Sequence, residues 1–149
     1  MSGAKTVRDI MSTDVVTVTM QDNVFEIAAK MKENDIGFIP VVEGRRLIGV
    51  VTDRDLVLRG YAEKRSGSAS VDQVMSKDIV TVTPDTSVEE ASRIMAKNKI
   101  RRLPVVENGE LVGVVAIGDM AVRSKLEDEA GQALSQISEN TDKEYAGAH

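Results

Sequence analysis

Cysteine is absent from this chain of 149 residues, and its single histidine, His149, is the last residue. The chain therefore has no material for a disulfide, a thiolate nucleophile, a histidine relay or a metal site of cysteine and histidine ligands. Aromatic residues make up only 3% of the sequence, too few for a surface that stacks single-stranded nucleic acid. The formal net charge is −5 without a long basic run, so we expect no nucleic-acid partner. These absences predict a protein that is not an enzyme.

Long apolar runs are also missing, since no stretch approaches the roughly 20 residues that cross a bilayer. The first residues carry no apolar signal segment, so we expect a cytoplasmic protein without a membrane partner. Aspartates are frequent, but none of their spacings resembles a dedicated cation loop, and we predict no metal site. Hydrophobic residues at 42% and charged residues at 29% are typical of a globular chain.

The chain contains one pattern twice. Residues 7–57 align with residues 71–121 at a constant offset of 64 without a gap, and 22 of the 51 aligned pairs are identical. Pro40–Glu43, for example, falls on Pro104–Glu107. A repeat of this length is one supersecondary unit, too small to bury a good core alone. We therefore expect two copies that pack on each other with pseudo-twofold symmetry.

Each repeat has the pattern strand, helix, strand, strand, helix, which predicts a mixed α/β (α+β) fold. Clusters of β-branched residues predict the first strands at Val15–Thr19 and Ile79–Thr83. Capping-box spacings and terminal asparagines then predict the bounds of the first helix in each copy; these residues are Asn23, Glu26 and Asn34, and Ser87, Glu90 and Asn98. The next two strands form a hairpin, for which Asn108-Gly109 is a strong turn signal.

Related motifs follow in the same order in both copies: the openings Val-Arg-Asp-Ile-Met-Ser and Val-Asp-Gln-Val-Met-Ser, then Ile-Arg-Arg-Leu-Pro-Val-Val, written as it stands in the second copy, and Gly-Val-Val-Thr-x-Arg-Asp-Leu, written as it stands in the first. The chain resembles a tandem pair of CBS domains, the arrangement called a Bateman module. The resemblance gives CBS domain 1 at residues 7–59, a polar linker at 60–70 and CBS domain 2 at 71–122. Beyond them an apolar stripe predicts an amphipathic helix at 123–138, followed by a flexible tail at 139–149.

The resemblance implies two clefts between the repeats that take AMP, ADP, ATP or S-adenosylmethionine, and it leaves the choice of ligand open. No resident cofactor is implied. It also implies a homodimer of two modules and a separate protein partner that the module regulates. The alternative is a structural dimerisation or interaction module whose clefts hold no nucleotide.

The sharpest local motif is Gly49–Asp55 in the first copy, where the last strand ends at Thr52 and Asp55 follows three residues later in the first turn of the next helix. A helix start presents N–H groups to a phosphate, and a carboxylate accepts hydrogen bonds from both hydroxyls of a ribose. The resemblance gives Thr52 and Asp55 these roles, although the same spacing also fits a capping box that needs no ligand. The second copy retains Asp119 for a ribose and has Ala116 in place of the hydroxyl, so we expect unequal clefts with the weaker phosphate contact at the second motif.

Adjacent arginines, Arg101 and Arg102, precede the second hairpin, and one of them is a candidate donor to a phosphate. In the first copy Phe38 is a candidate to lie against an adenine ring, with core packing as the alternative. The remaining candidates for the nucleotide site flank these positions and are Ile36, Ile39, Pro40 and Pro104.

Overall fold

The computed structural model describes the backbone of residues 5–124 and the side chains of residues 5–120. It confirms the mixed fold class. The helices and strands are α1 (Val24–Asn34), β1 (Phe38–Glu43), β2 (Arg46–Thr52), α2 (Asp53–Asp55), α3 (Val88–Asn98), β3 (Arg102–Glu107), β4 (Glu110–Ala116) and α4 (Ile117–Ser124). The strands form a sheet of order β1-β2-β4-β3, in which β1 and β2 are antiparallel. The predicted helix at 123–138 lies outside the described residues after position 124, and the predicted tail at 139–149 lies outside them entirely.

The described residues form two compact units, and each unit joins the body of one repeat to the opening of the other. Unit I contains residues 14–80 and 108–111, and unit II contains residues 5–13, 81–107 and 112–124. In unit I, Val50 and Ser76 exchange two backbone hydrogen bonds of 3.0 and 2.8 Å. In unit II, Ser12 and Val114 exchange the equivalent bonds of 2.8 and 2.9 Å. The opening of each repeat therefore completes a sheet edge in the unit that is built on the other repeat.

Glycine permits this close approach. A Cβ added at Gly49 would lie 3.0 Å from the carbonyl oxygen of Ser76, and one added at Gly113 would lie 2.8 Å from that of Ser12. Such contacts are too short for a side chain to be accommodated without movement of the backbone. The repeated glycine thus has a steric reason within each unit.

Each unit has its own apolar core. In unit I the core includes Ile27 and Met31 of α1 together with residues of β1, β2 and the segment 71–75. In unit II the core includes Ala91 and Met95 of α3 together with Val7 and Ile10 from the start of the chain. Apolar area is the main stabilising term at about 25 cal/mol per Å² removed from water, so the openings contribute to stability as well as to pairing.

The predicted first strands are not formed as strands. Val15–Thr19 is reduced to a single parallel bridge, in which Val18 donates to the carbonyl of Pro40 and accepts from the N–H of Val42. Extension of that ladder toward the N-terminus would require an N–H from Pro40, which proline lacks. Ile79–Thr83 is limited in the same way by Pro104, beside the bridge between Val82 and Val105.

The predicted helix start at Asn23 is confirmed as a full capping box. The side chain of Asn23 accepts from the N–H of Glu26 at 2.8 Å, and Glu26 accepts from the N–H of Asn23 at 2.9 Å. The predicted left-handed residue at the end of α1 is wrong by one position, because Asp35 rather than Asn34 has a positive φ, of 53°. Asn34 remains helical and donates its amide to the carbonyl of Lys30 instead.

The segment predicted as a linker, 60–70, contributes to the start of α1. The N–H groups of Val24 and Phe25 donate to the carbonyls of Ala69 and Gly67, both at 2.9 Å. These two N–H groups belong to the first turn of a helix and have no acceptor inside it. The segment therefore satisfies backbone groups of unit I in addition to joining the repeats.

Candidate functional site

The segment from β2 into α2 forms the centre of the candidate site in unit I. The hydroxyl of Thr52 accepts from the N–H of Asp55 at 3.1 Å, and the carboxylate of Asp55 accepts from the N–H of Thr52 at 2.9 Å. This reciprocal pair is a capping box. The capping box, which the sequence left open as the alternative to ligand binding, is thus present, and both Thr52 and Asp55 take part in it.

The helix start in unit I has no N–H group free for a phosphate. The N–H of Asp53 donates to the carbonyl of Gly37 at 3.0 Å, and the N–H of Arg54 donates to the carboxylate of Asp53 at 2.8 Å. The N–H of Asp55 is bound by Thr52. The expectation of free N–H groups here is therefore wrong for unit I, because its own side chains and a neighbouring carbonyl occupy all three.

Asp55 is largely buried, with 18% of its side chain exposed, and its second carboxylate oxygen lies 3.8 Å from Nε of Arg59. Arg59 also donates from Nη1 to the carbonyl of Met75 at 2.9 Å. One guanidinium therefore links the candidate carboxylate to the opening of the second repeat within unit I. The sequence reasoning missed Arg59, although its spacing of four residues from Asp55 on a helix was a usable signal.

The helix that carries Arg59 changes its winding directly after the capping box. Residues Leu56–Tyr61 form a π-helix, in which hydrogen bonds join residues five apart. The equivalent part of unit II continues as the α-helix α4 through Ser124. The two repeats thus differ in helix geometry directly after the strand-to-helix segment, where their sequences also differ.

The strand β1 places the candidate Phe38 beside Thr52 and buries the candidates Ile39 and Pro40. Phe38 pairs with Thr52 across the hairpin and is half-buried, so the two side chains share a face of the sheet. Ile39 is completely buried in the core, and Pro40 is also buried. Ile36 is half-buried and packs against the same core.

Gly37 and Asp53 are in close contact in unit I. A Cβ on Gly37 would lie 2.7 Å from a carboxylate oxygen of Asp53. The equivalent residues of unit II are Arg101 and Ile117, and there the N–H of Ile117 donates to the carbonyl of Arg101 at 2.8 Å. The backbone contact is the same in both units, whereas the charged residue is an aspartate at the helix start in unit I and an arginine just before β3 in unit II.

In unit II the candidate residues surround the start of α4. Arg101 and Arg102 are half-buried, Pro104 is buried, and Asp119 is exposed as the third residue of the helix. Ala116 precedes the helix and has no side-chain oxygen that could accept from the N–H groups of the first turn. Unit II therefore has two arginines and an alanine that offers no side-chain cap, whereas unit I has two carboxylates and the threonine cap of Thr52.

The part of the chain that the structure describes has no group of three or more acidic or histidine side chains that could hold a metal ion. Within the same residues, no helix has the length and apolar character needed to cross a membrane.

Comparison with known proteins supports the organisation of the chain as two repeats. The CBS domain profile matches residues 7–60 and 71–124. The chain is 43% identical over 145 residues to YlbB of Bacillus subtilis, which covers 96% of this chain and 98% of YlbB. It is 46% identical over 132 residues to the CBS domain-containing protein YhcV of Bacillus subtilis, which covers 89% of this chain and 94% of YhcV. Among solved structures, CBSX2 in complex with AMP has a TM-score of 0.71 and 30% identity, over 82% of this chain and 96% of CBSX2.

Two α/β repeats with a strand-to-helix segment in each define a tandem-repeat protein. The chain belongs to the CBS-domain family, and pairs of CBS domains are regulatory modules. The resemblance inferred from the repeated motifs is thereby confirmed.

Proposed function

We propose that this protein is a non-catalytic sensor that binds an adenosine nucleotide reversibly and thereby regulates a protein partner. The observation that carries the proposal is the largely buried carboxylate of Asp55, held in place by Thr52 and Arg59 beside the half-buried Phe38. A fixed carboxylate is a suitable acceptor for two ribose hydroxyls, and an adjacent aromatic ring is suitable for a base. The structural relative CBSX2 in complex with AMP supports an adenine ligand.

A nucleotide phosphate has a better site in unit II than in unit I. Arg102 is the first residue of β3 and Arg101 precedes it, and the backbone of Arg101 contacts the first residue of α4. Arginine binds phosphate oxygens through two parallel N–H groups, and a helix start adds a favourable dipole. Asp119 supplies a carboxylate for a ribose. We therefore expect the two units to bind with unequal affinity, with unit II accepting the more highly charged nucleotide.

The proposal includes a cytoplasmic homodimer that needs no resident cofactor and has neither a nucleic-acid nor a membrane partner. Ligand binding would bias a conformational equilibrium only to the extent that the ligand binds one state more tightly. The regulated partner would then respond to that bias.

Calorimetric titration of nucleotide-free protein with AMP, ADP, ATP and S-adenosylmethionine tests this function. We expect saturable binding of at least one of them. Asp55→Asn and Asp119→Asn should each weaken binding in one unit, and Arg101→Gln with Arg102→Gln should weaken ATP more than adenosine. Absence of heat from all four ligands at millimolar concentration would contradict the proposal.

Exchanging the capping residues, Thr52 and Ala116, tests the difference between the two candidate sites. Ala116→Thr gives unit II the cap of unit I, and it should weaken the binding of phosphate there by roughly tenfold because a hydroxyl now accepts from an N–H of the first turn. Thr52→Ala is the matched change in unit I. If Ala116→Thr strengthens phosphate binding instead, the hydroxyl is a ligand donor and the assignment of the phosphate to an uncapped helix start is wrong.

The second candidate is an interaction module that binds no nucleotide. The occupied N–H groups at the start of α2 favour it for unit I. A dimer whose stability and partner binding do not respond to any of the four ligands would support this second function.

A further inference from the structure

Arg59 connects the candidate site of unit I to residues 71–76, the opening of the second repeat. Its guanidinium donates from Nη1 to the carbonyl of Met75 at 2.9 Å, and its Nε lies 3.8 Å from Oδ1 of Asp55. The carbonyl of Arg59 accepts from Nε of Arg65 at 2.9 Å, and Arg65 donates from Nη1 to Gln73 at 2.7 Å. Residue 59 therefore contacts the opening twice, directly through its side chain and by way of Arg65 through its backbone.

The opening of the second repeat lies on the strand that leads to the candidate site. Ser76 exchanges two backbone hydrogen bonds with Val50 of β2, and the side chain of Met75 is buried in the core of unit I. Thr52 ends the same strand two residues after Val50 and forms the capping box with Asp55. Displacement of the opening from β2 would therefore take the Met75 carbonyl away from the guanidinium that lies beside Asp55.

The two carboxylate oxygens of Asp55 have different surroundings. Oδ2 accepts from the N–H of Thr52 at 2.9 Å. Oδ1 accepts no hydrogen bond from the residues that the structure describes, and the 3.8 Å to Nε of Arg59 is too long for one. The guanidinium thus lies beside Oδ1 by charge attraction and leaves that oxygen open to a hydroxyl of a ligand.

The opening also leads to the start of α1. The N–H of Val71 donates to the carbonyl of Asp22 at 3.2 Å, and the N–H of Val24 donates to the carbonyl of Ala69 at 2.9 Å. Both bonds join the residues just before and within the opening to the first turn of α1. A change in the position of the opening would therefore also reach this helix.

The sequence of the second repeat retains the side-chain part of this connection. Arg123 corresponds to Arg59, and Met11 corresponds to Met75. Arg65, by contrast, corresponds to a glutamate at position 129. The side chain of Arg123 lies outside the described residues, so the geometry of the connection is known for unit I alone.

We propose that Arg59 is a positioning residue that couples a ligand at Asp55 to the seating of residues 71–76 on β2. The Met75 carbonyl fixes one end of the guanidinium, and the fixed guanidinium then holds the carboxylate for the ligand. Such coupling is reciprocal, so a ligand that binds the positioned carboxylate also stabilises the seated opening. Arg59 is 51% exposed, and we therefore expect an effect of roughly two- to fivefold. The inference takes its ligand from the proposed function, but the link between Asp55 and the opening can be tested without a ligand.

Amide hydrogen exchange of the full-length protein, followed by NMR, measures the seating of the opening. The reporter amides are those of Val50 and Ser76, whose hydrogen bonds hold the opening on β2. The amides of Ser12 and Val114 form the equivalent pair in unit II and serve as the reference. A change in global stability moves both pairs, whereas a change in the seating of the opening moves the reporter amides alone.

A double-mutant cycle without ligand tests the role of Arg59. Asp55→Asn should accelerate exchange of the reporter amides by roughly two- to fivefold relative to the reference pair. In an Arg59→Gln background the same substitution should add no acceleration. Lys77→Gln is the matched control, because it removes a cation that pairs with Asp72 of the opening at 3.1 Å, and in its background the effect of Asp55→Asn should persist. An Asp55→Asn effect that persists with Arg59→Gln, or that is absent from every background, would overturn the proposal.

Addition of AMP distinguishes this coupling from the proposed function. Saturating AMP should slow the reporter amides by roughly two- to fivefold in the unmodified protein and leave them unchanged in Arg59→Gln, which retains Asp55 and should still bind AMP in calorimetry. If Asp55→Asn weakens AMP binding but AMP leaves the reporter amides of the unmodified protein unchanged, the coupling is wrong. AMP binding that is absent, or that Asp55→Asn does not weaken, would instead contradict the proposed function, and the cycle without ligand would still decide whether Arg59 links Asp55 to the opening.

Discussion

Thr52 and Asp55 form one capping box, and substitutions at the two positions should separate its structural and ligand-binding roles. Thr52→Ala removes the oxygen that accepts from the N–H of Asp55 at 3.1 Å. Loss of such a cap costs about 1 kcal/mol of protein stability, within a range of about 0.5–2 kcal/mol. Asp55→Asn retains an oxygen for the N–H of Thr52 and loses the 3.8 Å ion pair with Arg59. Because Arg59 is 51% exposed, that pair contributes at most about 1 kcal/mol.

For nucleotide affinity the order is reversed: Asp55→Asn should have the larger effect and Thr52→Ala the smaller one. A hydrogen bond to a carboxylate contributes about 1.5–3 kcal/mol and one to a neutral oxygen about 0.5–1.5 kcal/mol. Asn offers one neutral oxygen where Asp55 offers two charged ones, so AMP should bind unit I roughly tenfold to a hundredfold more weakly. Thr52→Ala should weaken AMP less than tenfold, because it leaves the carboxylate in place.

Urea denaturation measures the stabilities, and calorimetry with AMP and 2′-deoxy-AMP measures the affinities. The unmodified protein should prefer AMP, and Asp55→Asn should reduce that preference in unit I. Asp119→Asn is the control in unit II, where Ala116 provides no cap to disturb. Equal affinity of Asp55→Asn and the unmodified protein for AMP would refute the assignment of the ribose to Asp55. If Thr52→Ala has the same free energy of unfolding as the unmodified protein, the cap does not contribute to stability as argued.

Three further predictions concern unit I. Gly49→Ala should destabilise the protein by about 1–3 kcal/mol in thermal melts, since its Cβ would meet the backbone carbonyl of Ser76 at 3.0 Å; an unchanged melting temperature would contradict the close approach. Asn23→Ala should cost about 1 kcal/mol in urea denaturation by opening the capping box with Glu26, and Asn23→Ser should restore most of it. Arg59→Lys should leave the protein folded and accelerate amide exchange near Met75, because lysine cannot contact the Met75 carbonyl and Asp55 in the same fork geometry; unaltered exchange would show that the link is not formed in solution.

Local signals in the sequence were sufficient wherever a side chain acts on its own neighbourhood. The capping box at Asn23 and Glu26 follows from two residues three apart, and the turn at Asn108-Gly109 follows from two residues that tolerate positive φ. The repeated motifs also identified the family, since their order and spacing recur over most of the chain. These features depend on short separations, for which sequence spacing fixes geometry.

Features that depend on distant residues were not predicted. The first strand fails to extend because Pro40, more than twenty residues later, lacks the N–H that the ladder needs. The contact of Arg59 with the Met75 carbonyl depends on the opening of the second repeat entering unit I. Prediction of either feature would require knowledge of which segments become neighbours, and periodicity does not contain that information.

The inequality of the two candidate sites was predicted from Ala116, but its direction changes once the hydrogen bonds are known. A missing hydroxyl weakens a phosphate site only if the hydroxyl of the other copy points to the ligand. In unit I the hydroxyl of Thr52 accepts from Asp55, and the neighbouring N–H groups have acceptors as well. We therefore propose that unit I suits a neutral ribose and base, and that unit II, with Arg101 and Arg102 near a helix start that lacks the threonine of unit I, suits an anion.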